Sequence, residues 1–187
     1  HMRMSSKLHS TTQTIDVSKW HPALRRKVLA PDTLAESIAS LREQNKRLIT
    51  LNGSFDLPHA GHLEMLSQAF DLKGDNGVVL VALNTDASIR RYKSTDRPII
   101  NLEGRVKMMA SFLFVDYVTW FDQDDPRELL EICRPDIHVN GSEYGSNCIE
   151  ANTVREGGGN LFIVEKLEGL STSSIIQKIL SLGRKIG

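Results

Sequence analysis

The sequence contains few cysteines, no excess charge of either sign and no long apolar run. Its two cysteines, Cys133 and Cys148, do not form a CxxC pair, so we expect no disulfide framework and a reducing, cytoplasmic setting. The 23 basic residues equal the 23 acidic ones, which gives no reason to expect a nucleic acid or an anionic membrane as partner. The apolar runs are too short to span a bilayer.

Several common functional motifs are also missing. No GxGxxG follows the first predicted strand, which argues against a dinucleotide site of the common kind, and no GxxxxGK[ST] marks a P-loop. The stretch "GLSTS" (169–173) lacks the second glycine of a GxSxG nucleophile elbow, so a hydrolase triad is not indicated. The chain opens with His1-Met2, typical of a cloning remnant, and we expect no secretory signal.

The length of 187 residues suits one compact domain. Residues 1–30 are polar and predict a flexible N-terminal extension, either a free tail or a surface wrap with Trp20 as its anchor. Residues 31–187 are predicted to form the domain itself. Its first helix is indicated by Leu34, Ile38 and Leu41, which recur at helical spacing.

Strand and helix patterns then alternate along the domain. Strands are predicted at 47–53, 78–83, 117–121, 136–140 and 160–165, and helices over 31–44, from His62, from Thr85, over 102–113, from Asp125 with Glu128 as its capping acid, and over 171–183. The run "VVLVAL" (78–83) has no polar interruption, as expected for a parallel strand covered on both faces. The chain therefore predicts an α/β fold, a three-layer sandwich with a parallel sheet of about five strands and helices on both faces.

Polar segments follow the predicted strands after Leu51, Leu83, Val139 and Val164, where open parallel sheets bind their ligands. The first of these segments is "NGSFDLPHAGH" (52–62), which opens a helix. Free N–H groups and the helix dipole favour an anion at that point, and its glycines allow a close approach of the backbone.

The two histidines of this segment, His59 and His62, have three interpretations. They can be ordinary surface or core residues, or they can bind zinc, which would need further ligands that Cys133, Cys148 and His138 do not supply at a recognisable spacing. They can also donate hydrogen bonds to the phosphate oxygens of a nucleoside triphosphate. The position after the first strand favours the third interpretation, and we predict no metal site.

The segment "NGSFDLPHAGH" resembles the HxGH signature of the nucleotidyltransferase superfamily, whose members share a Rossmann-like sheet. Two later stretches, "LNTDASIRRYKSTDRPIINLEGR" (83–105) and "EGLSTSSIIQKI" (168–179), resemble later motifs of its cytidylyltransferase-like branch. Within that branch the resemblance points to the adenylyltransferases that make ADP-heptose, over roughly residues 31–182. The chain departs from the family pattern at Ser54, where cysteine is frequent, and at Pro58, where leucine or phenylalanine is common. Lys166-Leu167 stands where the glycerol-phosphate cytidylyltransferases have Arg-Thr before Glu-Gly, and this difference argues against CTP as the nucleotide.

This resemblance implies transfer of AMP from ATP to a sugar 1-phosphate, such as heptose 1-phosphate, giving an ADP-sugar and pyrophosphate with Mg²⁺ as cofactor. A separate kinase would supply the sugar phosphate, and a homodimer or higher homo-oligomer is expected. Two alternatives stay open: a cytidylyltransferase that uses CTP with glycerol 3-phosphate or a phosphoamine, and a non-catalytic nucleotide-binding protein.

The resemblance also implies residue roles. The predicted catalytic residues are His59, His62 and Lys93. The predicted nucleotide-binding residues are Asn52, Gly53, Ser54, Phe55, Gly61, Asn140, Gly141, Ser171, Thr172 and Ser173. The predicted substrate-binding residues are Asp56, Asp86, Lys93 and Arg105. Asp56 is also expected to brace the loop, and Arg105 to clamp the substrate phosphate. Asp86 is expected either to shape the turn near the substrate or to cap the short helix that follows. Ser171 to Ser173 can serve as a helix cap at the same time.

Overall fold

The structure, a computed structural model, describes residues 13–143, 145–165 and 167–186. Its strands are β1 (Arg47–Gly53), β2 (Gly77–Asn84), β3 (Tyr117–Phe121), β4 (Ile137–Gly141) and β5 (Asn160–Val164). They form one all-parallel sheet of five strands, as predicted, and the strand order is β3-β2-β1-β4-β5. The chain runs outward from β1 through β2 and β3, and then crosses to β4 and β5. A topological switch point therefore lies between β1 and β4, where a ligand crevice is expected.

Helices cover both faces of this sheet. They are α1 (Pro22–Arg25), α2 (Leu34–Glu43), α3 (Ala60–Lys73), α4 (Asp86–Tyr92), α5 (Leu102–Ala110), α6 (Arg127–Cys133), α7 (Ala151–Glu156) and α8 (Thr172–Ile186). Ile49 and Leu51 of β1 pack with α3 and α5, whereas Leu48 packs with α2 and α6 on the opposite face. The described helices include none with the length and apolarity of a bilayer span.

Two aspartates set the alignment of neighbouring strands. Oδ2 of Asp116, just before β3, accepts hydrogen bonds from the backbone N–H of Val79 in β2 at 2.8 Å and from Nζ of Lys73 at 3.0 Å. Oδ2 of Asp136, just before β4, likewise accepts from the N–H of Leu48 in β1 at 2.7 Å. Since a shift of one residue would exchange the two faces of a strand, these contacts favour the observed register.

Residues 13–30 form a wrap along the domain, which we call the N-terminal strap. Its backbone bridges the outer edge of β3, where the N–H of Leu29 donates to the carbonyl of Val118 at 2.8 Å. Trp20 is only 7% exposed and packs in the core. Of the two predicted states of the extension, the described part shows the surface wrap; residues 1–12 lie outside the described residues.

Several predicted helix boundaries differ in the structure, and helix α2 begins at Leu34 rather than at residue 31. Helix α3 begins at Ala60, before His62, because a histidine side chain caps it. Helix α5 ends at Ala110, so Leu113 is 82% exposed and does not continue its buried face. Helix α8 continues past Gly183 to Ile186.

The predicted cap of α6 by Glu128 is wrong. Pro126 occupies the N-cap position, so Asp125 lies one residue too early for a capping box. Oδ1 of Asp125 accepts from the N–H of Arg127 at 3.0 Å, and Glu128 accepts from Nε2 of Gln123 at 3.2 Å.

We predict that Trp20→Ala lowers the free energy of unfolding by about 3–5 kcal/mol, because it removes a buried aromatic ring and leaves a cavity. Leu113→Ala is the control and should change the free energy by about 0.5 kcal/mol or less, because Leu113 is exposed. Denaturant unfolding followed by circular dichroism measures both values. Equal effects of the two substitutions would contradict the docking of the strap.

Candidate active site

The loop between β1 and α3 is tightly folded and braced from two sides. Phe55 and Leu57 adopt positive φ angles of 46° and 47°, a conformation that side chains rarely adopt. The carboxylate of Asp56 accepts hydrogen bonds from the N–H groups of Ile99 and Ile100 at 2.7 and 3.0 Å, and its carbonyl accepts from Oγ1 of Thr172 at 2.6 Å. Asp56 is 2% exposed and is not among the described residues that line the cavities below. It therefore has the bracing role.

The two histidines of this loop cap the first turn of α3 reciprocally. Nδ1 of His59 accepts from the N–H of Gly61 at 3.1 Å, and Nδ1 of His62 accepts from the N–H of His59 at 3.2 Å. A neutral imidazole whose Nδ1 is an acceptor carries its hydrogen on Nε2. Both rings are therefore hydrogen-bond donors at Nε2.

The imidazole rings are packed against each other and against the loop. Their centroids are 3.9 Å apart in a stacked arrangement, and the ring of Phe55 lies 5.1 Å from that of His62. A Cβ atom on Gly61 would lie 2.9 Å from Cε1 of His59, so glycine leaves room for the ring. Burial, together with the charges of His59 and Lys93, lowers the pKa of His62 to about 4. His62 is therefore neutral at pH 7.

Both rings line a cavity at the switch point, which we call the histidine cavity. It brings together most of the predicted nucleotide-binding residues, namely Asn52, Gly53, Ser54, Phe55, Gly61, Gly141, Ser171, Thr172 and Ser173. Leu167 also lines it, whereas Lys166 lies outside the described residues. The segments that follow β1, β4 and β5 thus meet here, as their positions after parallel strands predict.

Two long helices begin at the histidine cavity. Besides α3, the first turn of α8 contributes its Ser/Thr cluster, in which Oγ of Ser171 accepts from the N–H of Ser174 at 3.0 Å and Oγ of Ser174 accepts from the N–H of Ser171 at 3.1 Å. Oγ of Ser173 accepts from NH2 of Arg97 at 3.3 Å. The positive ends of two helix dipoles and nearby cations favour a polyanion in this cavity.

A second cavity adjoins the first, and we call it the acidic cavity. It shares Asn52, Gly53, Ser54, Lys93 and Glu143 with the histidine cavity. Its other lining residues are Asn84, Tyr92, Asp124, Asp125, Pro126, Asn140, Cys148, Ile149 and Glu150. Carboxylates and carboxamides thus surround a space that lies beside the histidines.

Lys93 lies at the boundary between the two cavities. Its Nζ donates to Oγ of Ser54 at 3.2 Å. Burial and the charge of Arg97 lower its pKa. Because Lys93 lines both cavities, its ammonium group can contact an anionic group at the point where the two cavities meet.

Asn140, predicted for the nucleotide, lines the acidic cavity and is not among the described residues of the histidine cavity. Strand alternation explains this, because Asn140 lies on the face of β4 opposite to Val139. Its Nδ2 donates to Oε1 of Glu150 at 2.7 Å and to Sγ of Cys148 at 3.3 Å. Glu143 and Glu150, which the sequence analysis did not select, stand in a loop without a periodic pattern that could have marked them.

A buried polar layer continues below the acidic cavity. Nδ1 of His138 lies 2.7 Å from Oγ1 of Thr50, and its Nε2 lies 3.8 Å from Oε1 of Glu150. Burial lowers the pKa of His138, although Glu150 acts in the opposite direction. Nε2 of His138 and the buried Oδ1 of Asn52 have no hydrogen-bond partner among the described residues.

Asp86 and Arg105, predicted to bind substrate, do not line either cavity among the described residues. The predicted cap by Asp86 is also wrong, because the side chain of Thr85 caps α4. Arg105 is 2% exposed, and its guanidinium donates to the carbonyls of Ile100, Ser54 and Asn84 and to Oδ1 of Asp86, all within 2.8–2.9 Å. The guanidinium is therefore engaged inside the protein. The phosphate clamp expected for Arg105 does not agree with this burial.

The site suits a Mg²⁺ ion that is bound mainly by the phosphate oxygens of a ligand, with few ligands from the protein. The described residues contain no group of three or more His, Cys, Asp or Glu side chains that could hold a metal ion. Magnesium in phosphate sites commonly uses one or two carboxylates plus phosphate oxygens. Glu143 and Glu165 line the histidine cavity and offer such carboxylates.

An all-parallel sheet with an HxGH turn at its switch point defines the nucleotidyltransferase class. A family model described as cytidylyltransferase-like matches residues 50–178, and the chain belongs to this family. Proteins named "Bifunctional protein HldE" are similar: that of Geobacter sulfurreducens is 41% identical over 155 residues, 82% of this chain and 31% of that protein. That of Koribacter versatilis is 38% identical over 158 residues, 84% of this chain and 32% of that protein. The chain spans about a third of the length of these relatives.

Solved structures show the same fold. A lipopolysaccharide core biosynthesis protein from Thermoplasma volcanium superposes with a TM-score of 0.52 at 22% identity, covering 65% of this chain and 97% of that one. A macrolide-efflux protein from Streptococcus pneumoniae has a TM-score of 0.53 at 20% identity, covering 72% of this chain and 52% of that one. At these identities the likeness concerns the fold alone.

We predict that the imidazole of His62 titrates with a midpoint near 4 in the folded protein. Because an unfolded histidine has a pKa near 6.5, the unfolded state binds more protons between these values, and His62 makes the protein less stable as pH falls through this window. Proton NMR of the imidazole resonances measures the midpoint. A midpoint of about 6 or higher would contradict the buried, backbone-bound ring.

Proposed function

We propose that this chain transfers AMP from ATP to a sugar 1-phosphate, giving an ADP-sugar and pyrophosphate. The observation that carries the proposal is the pair of stacked imidazoles, each with Nδ1 used by the backbone and Nε2 as donor, in a cavity where two helices begin. The similarity to proteins named HldE and to ADP-heptose-forming adenylyltransferases supports heptose 1-phosphate as the sugar phosphate.

The two cavities suggest where each substrate binds. The histidine cavity offers N–H donors and helix N-termini, which suit the triphosphate of ATP. The acidic cavity offers carboxylates and carboxamides, which suit the many hydroxyl groups of a sugar. Lys93 lines both cavities, which supports a contact with the phosphate of the sugar beside the α-phosphate of ATP.

The reaction needs no general base, because a sugar phosphate is already ionised at neutral pH. One of its oxygens forms a bond to the α-phosphorus, and the bond from that phosphorus to the bridging oxygen of pyrophosphate breaks. Nε2–H groups of His59 and His62 donate to oxygens that gain charge in the transition state, and Lys93 stabilises the same charge. Mg²⁺ bound with ATP would neutralise charge on its phosphates, with Glu143 and Glu165 as the available carboxylates.

A pyrophosphate-release screen tests the proposed function. ATP and CTP are each combined with sugar 1-phosphates including heptose 1-phosphate, with glycerol 3-phosphate and with a phosphoamine. We expect release with ATP and a sugar 1-phosphate. Release with CTP and glycerol 3-phosphate or a phosphoamine would identify a cytidylyltransferase instead. ATP binding without release in any combination would identify a non-catalytic nucleotide-binding protein.

We predict that His62→Ala lowers kcat by about 10²–10⁴-fold, the usual effect of removing a transition-state donor. His21→Ala is the matched control, because Nδ1 of His21 also caps a helix start, accepting from the N–H of Ala23 at 3.1 Å. Steady-state pyrophosphate release measures both. A kcat of His62→Ala within about twofold of the His21→Ala value would refute the assignment.

We predict that Lys93→Ala lowers kcat/KM for the sugar phosphate by about 10–100-fold, because a charged hydrogen bond to phosphate is lost. Arg90→Ala, in the last turn of α4 before the C-cap Lys93, removes an equal charge and serves as the control. Rates at varied sugar phosphate with saturating ATP give the ratio. Equal kcat/KM values for the two variants would show that Lys93 contributes only to the overall positive charge and makes no specific contact with the phosphate.

A further inference from the structure

We propose that Gln13 is a positioning residue, through which the N-terminal strap fixes the loop that carries the histidine pair. Gln13 lies outside residues 50–178, which the family model matches, and it is not among the described residues that line either cavity. Its connection to the site runs through Asp86, Arg105 and Ser54, and each link is a hydrogen bond.

The first link joins the strap to α4. Nε2 of Gln13 donates to Oδ2 of Asp86 at 2.8 Å, and Oε1 of Gln13 accepts from the N–H of Asp86 at 3.2 Å. Nε1 of Trp120 donates to the carbonyl of Gln13 at 3.0 Å, which holds the backbone of Gln13 on β3. The amide of Gln13 thus binds the side chain and the backbone of Asp86 together, at the first residue of α4.

The second link joins Asp86 to the end of β1. Oδ1 of Asp86 accepts from NH2 of Arg105 at 2.8 Å, and NH1 of Arg105 donates to the carbonyl of Ser54 at 2.9 Å and to that of Asn84 at 2.8 Å. A planar guanidinium fixes the directions of all its donors together. The orientation of Asp86 therefore decides where Arg105 holds the backbone of Ser54, whose Oγ accepts from Lys93.

The charge balance makes Asp86 dependent on Gln13. The side chain of Arg105 is 0% exposed, so its charge requires the ionised carboxylate of Asp86. Burial acts to raise the pKa of Asp86, but hydrogen bonds from Gln13, Arg105 and the backbone of Leu102, together with the charge of Arg105, outweigh it and hold that pKa below its ordinary value. Without the Gln13 amide, Asp86 loses one of the two side-chain partners that fix its rotation.

Hydrogen exchange of the full chain compares Gln13→Ala with Lys27→Met. Lys27 belongs to the same strap, and its Nζ donates to the carbonyls of Val115 and Phe112 at 2.7 and 3.3 Å, away from Asp86. We expect exchange in residues 52–58 to become about 10-fold faster in Gln13→Ala and to stay near wild type in Lys27→Met. We also expect kcat for pyrophosphate release to fall about 10-fold in Gln13→Ala alone.

Equal exchange of residues 52–58 in the two variants would overturn the proposal, as would wild-type exchange in Gln13→Ala. Gln13→Glu keeps the side-chain volume but replaces the donor with a carboxylate beside Asp86, and it carries the same expectation if the alanine variant does not fold. The exchange measurement requires no turnover. The proposal can therefore fail or hold independently of the proposed function.

Discussion

The site depends on the use of two imidazole Nδ1 atoms as acceptors for the first turn of α3. This use fixes the hydrogen of each neutral ring on Nε2 and makes each ring a donor. It also holds the rings in a stack 3.9 Å apart, with Gly61 leaving room for His59. The same two residues therefore end the loop, start the helix and supply donors to the cavity.

Much of the surrounding structure keeps this loop in a conformation that it would not adopt alone. Phe55 and Leu57 have positive φ angles, and Asp56 binds the approach to α5 and the start of α8. Arg105 binds the carbonyl of Ser54 from the other side. Acidic and basic side chains that a sequence suggests for substrate binding thus hold the backbone of the loop that lines the histidine cavity, which is typical of preorganised sites.

The fold could be predicted from the sequence because local patterns of apolar and polar residues indicate its strands and helices. Apolar runs such as residues 78–83 mark strands covered on both faces, and the order of strands and helices implies a parallel sheet with a crevice at its carboxyl edge. The placement of Arg105 and Asn140 could not be predicted in the same way. Arg105 points inward only because carbonyls from two strand ends converge on it, and Asn140 faces Glu150 across a loop of no regular pattern.

Long-range ¹H–¹⁵N NMR of the histidine rings tests this arrangement of the two imidazoles, because it reports which ring nitrogen carries the hydrogen. We expect the Nε2–H form for His59 and His62 at neutral pH, and a shift of both Nε2 resonances when ATP is added. Nδ1–H forms would show that the backbone does not use the Nδ1 atoms, and Nε2 resonances that do not move at saturating ATP would show that the rings do not bind it.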